Sequence, residues 1–381
     1  MKVAIKKQEK NKEAKRMKRE KEVEGQGRVI LMMVMMVVMM GCNSGGVKGE
    51  GAVGGGDGRG AKSLSEVLLE VGRSAGDAFY SFLELVSGSL GFSVTKETKN
   101  NEVGEYFNKL GVKLGEASAE LDKVAVKASA DVDKEGVLNK GIRAAVDTAK
   151  TTLSGLKGHL ESLEGIGGDK KVIDVAKNQN GVAASTEELK KAYKALKGIV
   201  EIATKQGVKE ASASDVILGQ ASIGVDAKSG AKVLTTGANA GAAVGEKAAL
   251  IVSSVRGEEM LASIVNSTED KAKKITANAT AETTPLEFAV GGSTADNLAQ
   301  DVVKAGAVAG GIALRALVKE GKLATHNDDN DYKAVQSSGV SAVNKLLVAV
   351  EKMVKKTVKN VIEGVKKEVD KARDPKASGN Q

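Results

Sequence analysis

Apolar residues step along much of this chain at intervals of three and four, the spacing that lays one stripe along a helix. The first such stretch carries Leu64, Val67, Leu68, Val71, Ala75, Ala78, Phe79, Phe82, Leu83 and Val86, with Ser63 and Glu66 at capping-box spacing at its start. After the break "SGSLGFSVTKETKNN", a second runs through Val103, Tyr106, Phe107, Leu110, Leu114, Leu121 and Val124. A third uses Val137, Ile142, Ala145, Val146, Ala149, Leu153, Leu156, Leu160 and Leu163. From 165 to 292 the pattern loosens, and short helical patterns alternate with clusters of Gly, Ala, Ser, Thr and Asn. Within it, "STEELKKAYKALKGIVEIATKQG" predicts a helix capped by Ser185 or Thr186, with Glu188 three residues after Ser185. "GANAGAAVGEKAALIVSSV" predicts a helix whose small residues pack closely but bury little. This weak commitment to a core predicts that many substitutions between 165 and 292 cost little stability.

Regularity returns in "STADNLAQDVVKAGAVAGGIALRALVKEGKLA", where Leu298, Val302, Ala305, Ala309, Ile312, Ala316 and Leu317 share one face and Gly321 closes the helix. A last, long stripe follows through Val343, Leu347, Val350, Val354, Val358, Val361, Val365 and Val369, ended by Pro375. A stripe this long needs the first helices alongside it, which brings both chain ends to one pole. The expected fold is all-α: an elongated helical bundle with its N- and C-terminal helices packed together at one end and short helices and loops at the other.

One apolar run does not fit a bundle. Residues 29–40, "VILMMVMMVVMM", are apolar without interruption and hold six of the ten methionines. As a helix the run is about 18 Å long, too short for a bilayer core of about 30 Å, but of signal-peptide length. A basic segment precedes it, and Gly41 and Cys42 follow, Cys42 being the only cysteine of the chain. Their placement resembles a bacterial lipobox, in which the thiol takes a diacylglyceryl group, the leader is cut between the positions of Gly41 and Cys42, and the cysteine becomes the acylated N-terminus. Met39 and Met40 stand where a lipobox usually has Leu and a small residue, a relaxed form that spirochaetes use. Met17 offers an alternative start to Met1. Two or more acyl chains hold a protein stably at a membrane where one does not.

The expected organisation is then a cleaved signal peptide over 1–41, a glycine-rich tether over 42–62, one helical domain over 63–371 with a variable central part at 165–292, and a disordered tail over 372–381. The tether contains a G-x-G-x-x-G spacing at 49–54, but no strand precedes it and more glycine follows, so it reads as linker.

Charge changes the picture less than its total suggests. The net charge is +8, but residues 1–41 hold eleven Lys/Arg against five Asp/Glu, leaving 46 basic and 44 acidic residues for the rest. Without a concentrated basic face the nucleic-acid reading fails. Aromatics are 2% and Trp is absent, so a Val/Leu/Ala core must gain stability from many helix contacts. The only histidines are His159 and His326, without ligand spacing, so no metal site is expected. Ser154 and Lys157 fit S-x-x-K without its companion motifs and read as helix surface. "NDDND" at 327–331 lacks the glycine and the terminal Glu of a calcium loop and reads as a solvated loop. No constellation suggests catalysis, and no catalytic residue is assigned.

The segment 310–324, "GGIALRALVKEGKLA", resembles a signature of the variable large proteins, or variable major proteins, of relapsing-fever spirochaetes. A related invariant segment occurs in the antigenically varying surface lipoprotein of Lyme-disease spirochaetes. "FYSFLELVSGSLGF" and "TKNNEVGEYFNKL" within 79–110, and the Lys-rich final helix, match as well. The resemblance implies a plasmid-encoded surface lipoprotein of the outer membrane that evades immunity by antigenic variation, with constant ends near the membrane and variable segments exposed. It assigns Cys42 as the lipid site and Ile312, Ala313, Leu314, Arg315, Ala316, Lys319, Gly321 and Lys322 as the signature helix, with Ile312, Ala313, Ala316 and Leu317 turned inward. It implies no cofactor beyond the diacylglycerol and N-acyl chain on Cys42. The partners it brings are outer-membrane lipid and host antibodies, with a host surface ligand and a weak homodimer as further classes. An adhesin that binds a host ligand is the alternative function. A periplasmic enzyme would need a polar pocket, against which the scarcity of aromatics argues.

Overall fold

The computed structural model describes residues 92–129, 137–177, 179–237, 240–241 and 243–372. The leader, Gly41, Cys42, the tether, the first predicted helix with Ser63 and Glu66, and the tail from 373 lie outside the described residues.

The second and third sequence stripes form α1 (Asn100–Ser129) and α2 (Val137–Glu161). Their apolar positions meet face to face: Leu114 and Leu121 on α1 and Val146, Leu153, Leu156 and Leu160 on α2 have no exposed surface. The two helices run antiparallel, since Lys150 pairs with Asp122 while Asn100 reaches the chain just beyond α2, where its Nδ2 donates to the Gly167 carbonyl. Helix α3 (Thr186–Lys205) lies along α2, with His159 against the backbone of Gly198. The expected side-chain cap at its start is not made. Ser185 has the N-cap position but its hydroxyl accepts no amide, and its own N–H goes to the Lys319 carbonyl instead.

Then come a 3₁₀ helix (Ala227–Leu234), α4 (Val244–Ser253), α5 (Gly257–Val265), and the short α6 (Pro285–Val290) and α7 (Ala295–Leu298). Helix α6 starts on a full capping box: the Glu287 N–H donates to Thr284 Oγ1 and the Thr284 N–H to Glu287 Oε2, with Pro285 in the first turn. These elements overturn the expectation of a middle that buries little. Ile251, Met260, Leu261, Ile264, Leu286 and Phe288 are all core residues at 2% exposure or less. The reason is that each element is too short to show its own period, yet all contribute to a shared interior, α7 through Leu298 alone and the others through four or five side chains each.

The predicted helix over 293–324 is broken. Its longest helical part is α8 (Ala305–Leu317), whose thirteen residues are all buried, so it has no solvent-facing side. Val302, expected on the stripe, lies before α8 and is 52% exposed. Two three-residue strands, β1 (Val175–Lys177) and β2 (Leu323–Thr325), pair in parallel with Val175 opposite Leu323, a feature absent from the sequence reading.

Helix α9 (Asp329–Ala372) is the frame, 44 residues long. All eight valines and leucines of its predicted stripe are buried. Its N-terminal half carries α4 and α5, its C-terminal half α2 and the end of α3. Lysine side chains of α9 lie mostly outside the stripe, except Lys345, whose Nζ donates to the carbonyls of Val252 and Val255 and so closes the end of α4. None of the described helices is long and apolar enough to cross a membrane.

Candidate functional site: a buried helix and the turn that follows it

The signature residues fall in α8 and the turn leading to β2. The sequence placed the apolar half inside; the structure buries Leu314 and Arg315 as well as Ile312, Ala313, Ala316 and Leu317. Lys319 is exposed, Lys322 half-buried, and Gly321 buried between them. Helix α8 can sit this deep because Gly311 faces α6 at a distance where a β-carbon would lie 2.4 Å from Phe288 Cβ.

Arg315 is the unexpected member, a guanidinium with no exposed surface. Its Nε donates to the Ala289 carbonyl at 2.8 Å and its Nη2 to the Phe288 carbonyl at 3.1 Å, both at the C-terminal end of α6. These carbonyls have no partner within their own helix, and the end of a helix carries partial negative charge, which is the compensation the cation receives. No carboxylate is among the causes acting on it; burial alone pulls its pKa down to about 9, so it stays protonated at neutral pH. Immediately beyond, Gly291 takes φ +79°, and a β-carbon there would lie 2.1 Å from both Arg315 Nη2 and the Leu234 carbonyl. Only glycine fits between the guanidinium and that carbonyl.

The turn after α8 acts through its main chain. Lys319 donates to the Ile166 carbonyl at 2.8 Å and accepts from Ser185 at 3.0 Å; Lys322 and Val182 exchange two bonds at 2.9 and 3.0 Å. Lys170 Nζ reaches the Gly321 carbonyl, while Lys322 pairs with Asp174 at 3.1 Å. Lys170 sits at a pKa of about 8, lowered first by burial and then by the nearby cations Lys322 and Arg315, against the raising effect of Asp174.

A third cluster departs from the sequence reading. Asp331 of the "NDDND" stretch is buried at 5% exposure rather than solvated. Its carboxylate accepts the Gly245 N–H at 2.7 Å, the His326 N–H at 3.0 Å and the Thr325 hydroxyl, so it caps α4 and fastens β2 to α9. Asp328 instead supplies the cap of α9, accepting from Asn330 and Asp331.

The other sequence candidates stay apart. Ser154 is exposed on α2, and Lys157 pairs with Glu161 on the same helix, so the S-x-x-K spacing is a surface pattern. The described residues contain no His/Cys/Asp/Glu group able to hold a metal. A surface groove lies between 208–216, the α4–α5 corner and α9; its charges are largely engaged internally, Lys352 with Glu258 and Arg256 with Glu259, both at 2.8–2.9 Å. Position and spacing gave no warning of Arg315; the only signal was an arginine inside the signature resemblance, in a helix of otherwise small and apolar residues.

The geometry is that of an all-helical bundle whose interior polar chemistry is spent on holding its own main chain, and the family model described as "Borrelia lipoprotein" matches residues 75–369. Among relatives, variable large protein 25 of Borrelia hermsii is 60% identical over 92% of this chain and 96% of its own length, and variable large protein 21 of the same organism 54% identical over 93% and 96%. The chain belongs to the Borrelia lipoprotein family and groups with its variable large proteins. The crystal structure of the Lyme disease variable surface antigen VlsE of Borrelia burgdorferi shares the fold, with a TM-score of 0.65 at 24% identity, covering 81% of this chain and all of that one.

Proposed function

We propose that this chain is a surface-displayed variable antigen, held at the outer membrane by lipid on Cys42, whose role is to present a replaceable surface to host antibodies. The family supports the role. The observation that carries it structurally is the separation between an organiser, Ala305–Thr325, buried apart from the exposed Lys319 and Glu320 and the half-buried Lys322, and solvent-facing stretches within 165–292. In 219–222, 225–226 and 280–282 every residue is exposed, while the main chain on either side is hydrogen-bonded inward, as at Leu218 to Val303 and Ala279 to Asn297. Side chains can change at such positions without touching the core, except at Gly219, where a β-carbon would lie 2.8 Å from Asp301 Cβ, and at Asp226, whose φ is +55°.

The anchor has a direct test. In cells grown with radiolabelled palmitate, Cys42→Ser is expected to abolish label in the protein and release it from the surface. Undiminished labelling of that variant would sink the anchor. Loss of the protein when protease is added to intact cells is the matching test of surface display; resistance would place it inside the outer membrane.

A further inference from the structure

Three stretches far apart in sequence converge beside Arg315, and every bond that joins them ends on main chain. The Ala289 carbonyl accepts from both Arg315 Nε and the Ala184 N–H, at 2.8 and 3.2 Å. Two and three residues on, the Gly291 carbonyl accepts from the Ile275 N–H and the Gly292 carbonyl from the Thr236 N–H, each at 2.8 Å. The Thr235 hydroxyl adds a bond to the Gly292 carbonyl at 3.2 Å. Gly181 closes the other side, where a β-carbon would lie 2.4 Å from the Thr235 carbonyl. From this node the chain runs out to the exposed stretches 276–278 and 280–282 on one side and to Gly237 on the other.

We infer that Arg315 is a positioning residue: by gripping the Phe288 and Ala289 carbonyls it fixes the Gly291–Gly292 turn, and through that turn the register of the segments at Ala184, Thr236 and Ile275, whatever side chains those segments carry. A carbonyl is present at every residue, so a clasp that recognises carbonyls places no demand on the side chains of its clients. The demand falls on the guanidinium, whose fork geometry satisfies two carbonyls at once, and on the glycines packed around the node: Gly291 beside it, and Gly181 and Gly292, where a β-carbon would lie 2.4 Å from the Thr235 carbonyl and 2.8 Å from the Ile275 carbonyl. For an antigen this is the useful arrangement: the surface is free to be rewritten while its backbone stays in place. That use rests on the antigen reading; the clasp itself does not.

Amide hydrogen exchange on the full chain tests the clasp without any antibody, so its failure is separable from failure of the antigen reading. In Arg315→Met, exchange at Ala184, Thr236 and Ile275 is expected to accelerate by about ten- to a hundredfold, the factor that leaving a buried acceptor unpaired implies. Amides of α2 at Leu153 and Leu156 should keep their protection. Arg315→Lys, which retains the charge but not the fork, should show the same local pattern to a smaller extent, and it serves if the Met variant does not fold. In a third variant Arg315 stays and Thr276, Ala277, Asn278, Thr280, Ala281 and Glu282 are all replaced; protection at Ile275 and Thr236 should be unchanged. Uniform acceleration across the whole chain in the Arg315 variants, or lost protection at Ile275 in the replaced loop, would overturn the inference.

Discussion

Single side chains decide how the interior of this protein is charged. Arg315 and Lys170 are both cations drawn out of water, and among the described residues neither is bridged to a carboxylate; their partners are carbonyls. For Lys170 the consequence is a pH dependence with a definite sign. Its pKa in the fold, about 8, lies below the ordinary lysine value, so the unfolded chain binds the proton more tightly than the native one. Stability is therefore expected to rise as pH rises through about 8 towards the ordinary lysine range. Melting temperatures measured between pH 7.5 and 9.5 should climb in the wild type, and the climb should be shallower in Lys170→Met; equal slopes would remove Lys170 as the cause. Neither residue announced itself in the sequence. Arg315 follows three apolar positions in a helix where an arginine ordinarily marks the wet side, and its acceptors lie 26 and 27 residues earlier, in an element whose end cannot be placed from periodicity. The reading of Cys42 rests instead on its immediate neighbours in the sequence and on no tertiary contact.

Among the elements, length governed what could be read. Helices α1, α2, α3 and α9 each run for five turns or more, and their stripes repeat often enough to stand out. Helices α4 to α7 give one or two apolar steps before the chain turns, so the sequence suggested loops and short helices over a scaffold where the fold has core. Phe288 makes the point measurable. It lies in the six-residue α6, is fully buried, and packs where Gly311 lets α8 approach. Phe288→Ala is expected to cost about 3–5 kcal/mol, as for a large core side chain, in urea unfolding followed by circular dichroism. A cost below about 0.5 kcal/mol, the ordinary range for surface changes, would restore the earlier picture of a weakly committed middle. The strand pair β1–β2 was illegible for a different reason: three residues show no alternation, and the partners stand 148 positions apart, Val175 against Leu323.

At the scale of the whole molecule, the described domain is one interior with many suppliers. Variation confined to exposed stretches is compatible with such an interior. Helix α9 touches the interior along its length: Asp331 caps α4, Lys345 closes it, Glu351 accepts from the Tyr106 hydroxyl at 3.3 Å, and Asn360 holds the end of α3 through the Gln206 carbonyl at 2.8 Å. A chain ending at 328 is expected to lose its cooperative thermal transition altogether rather than melt at a lower temperature; a sharp transition in that fragment would show a core independent of α9. The same feature has a bearing on when the protein can fold. Because the wall common to α2, α3, α4 and α5 is supplied by residues 329–372, earlier segments can pair locally, as α1 does with α2, but those four helices share no common wall until the last segment is made. Contacts of such long sequence separation form late and slowly. The full interior is thus expected to close only when the last helix arrives.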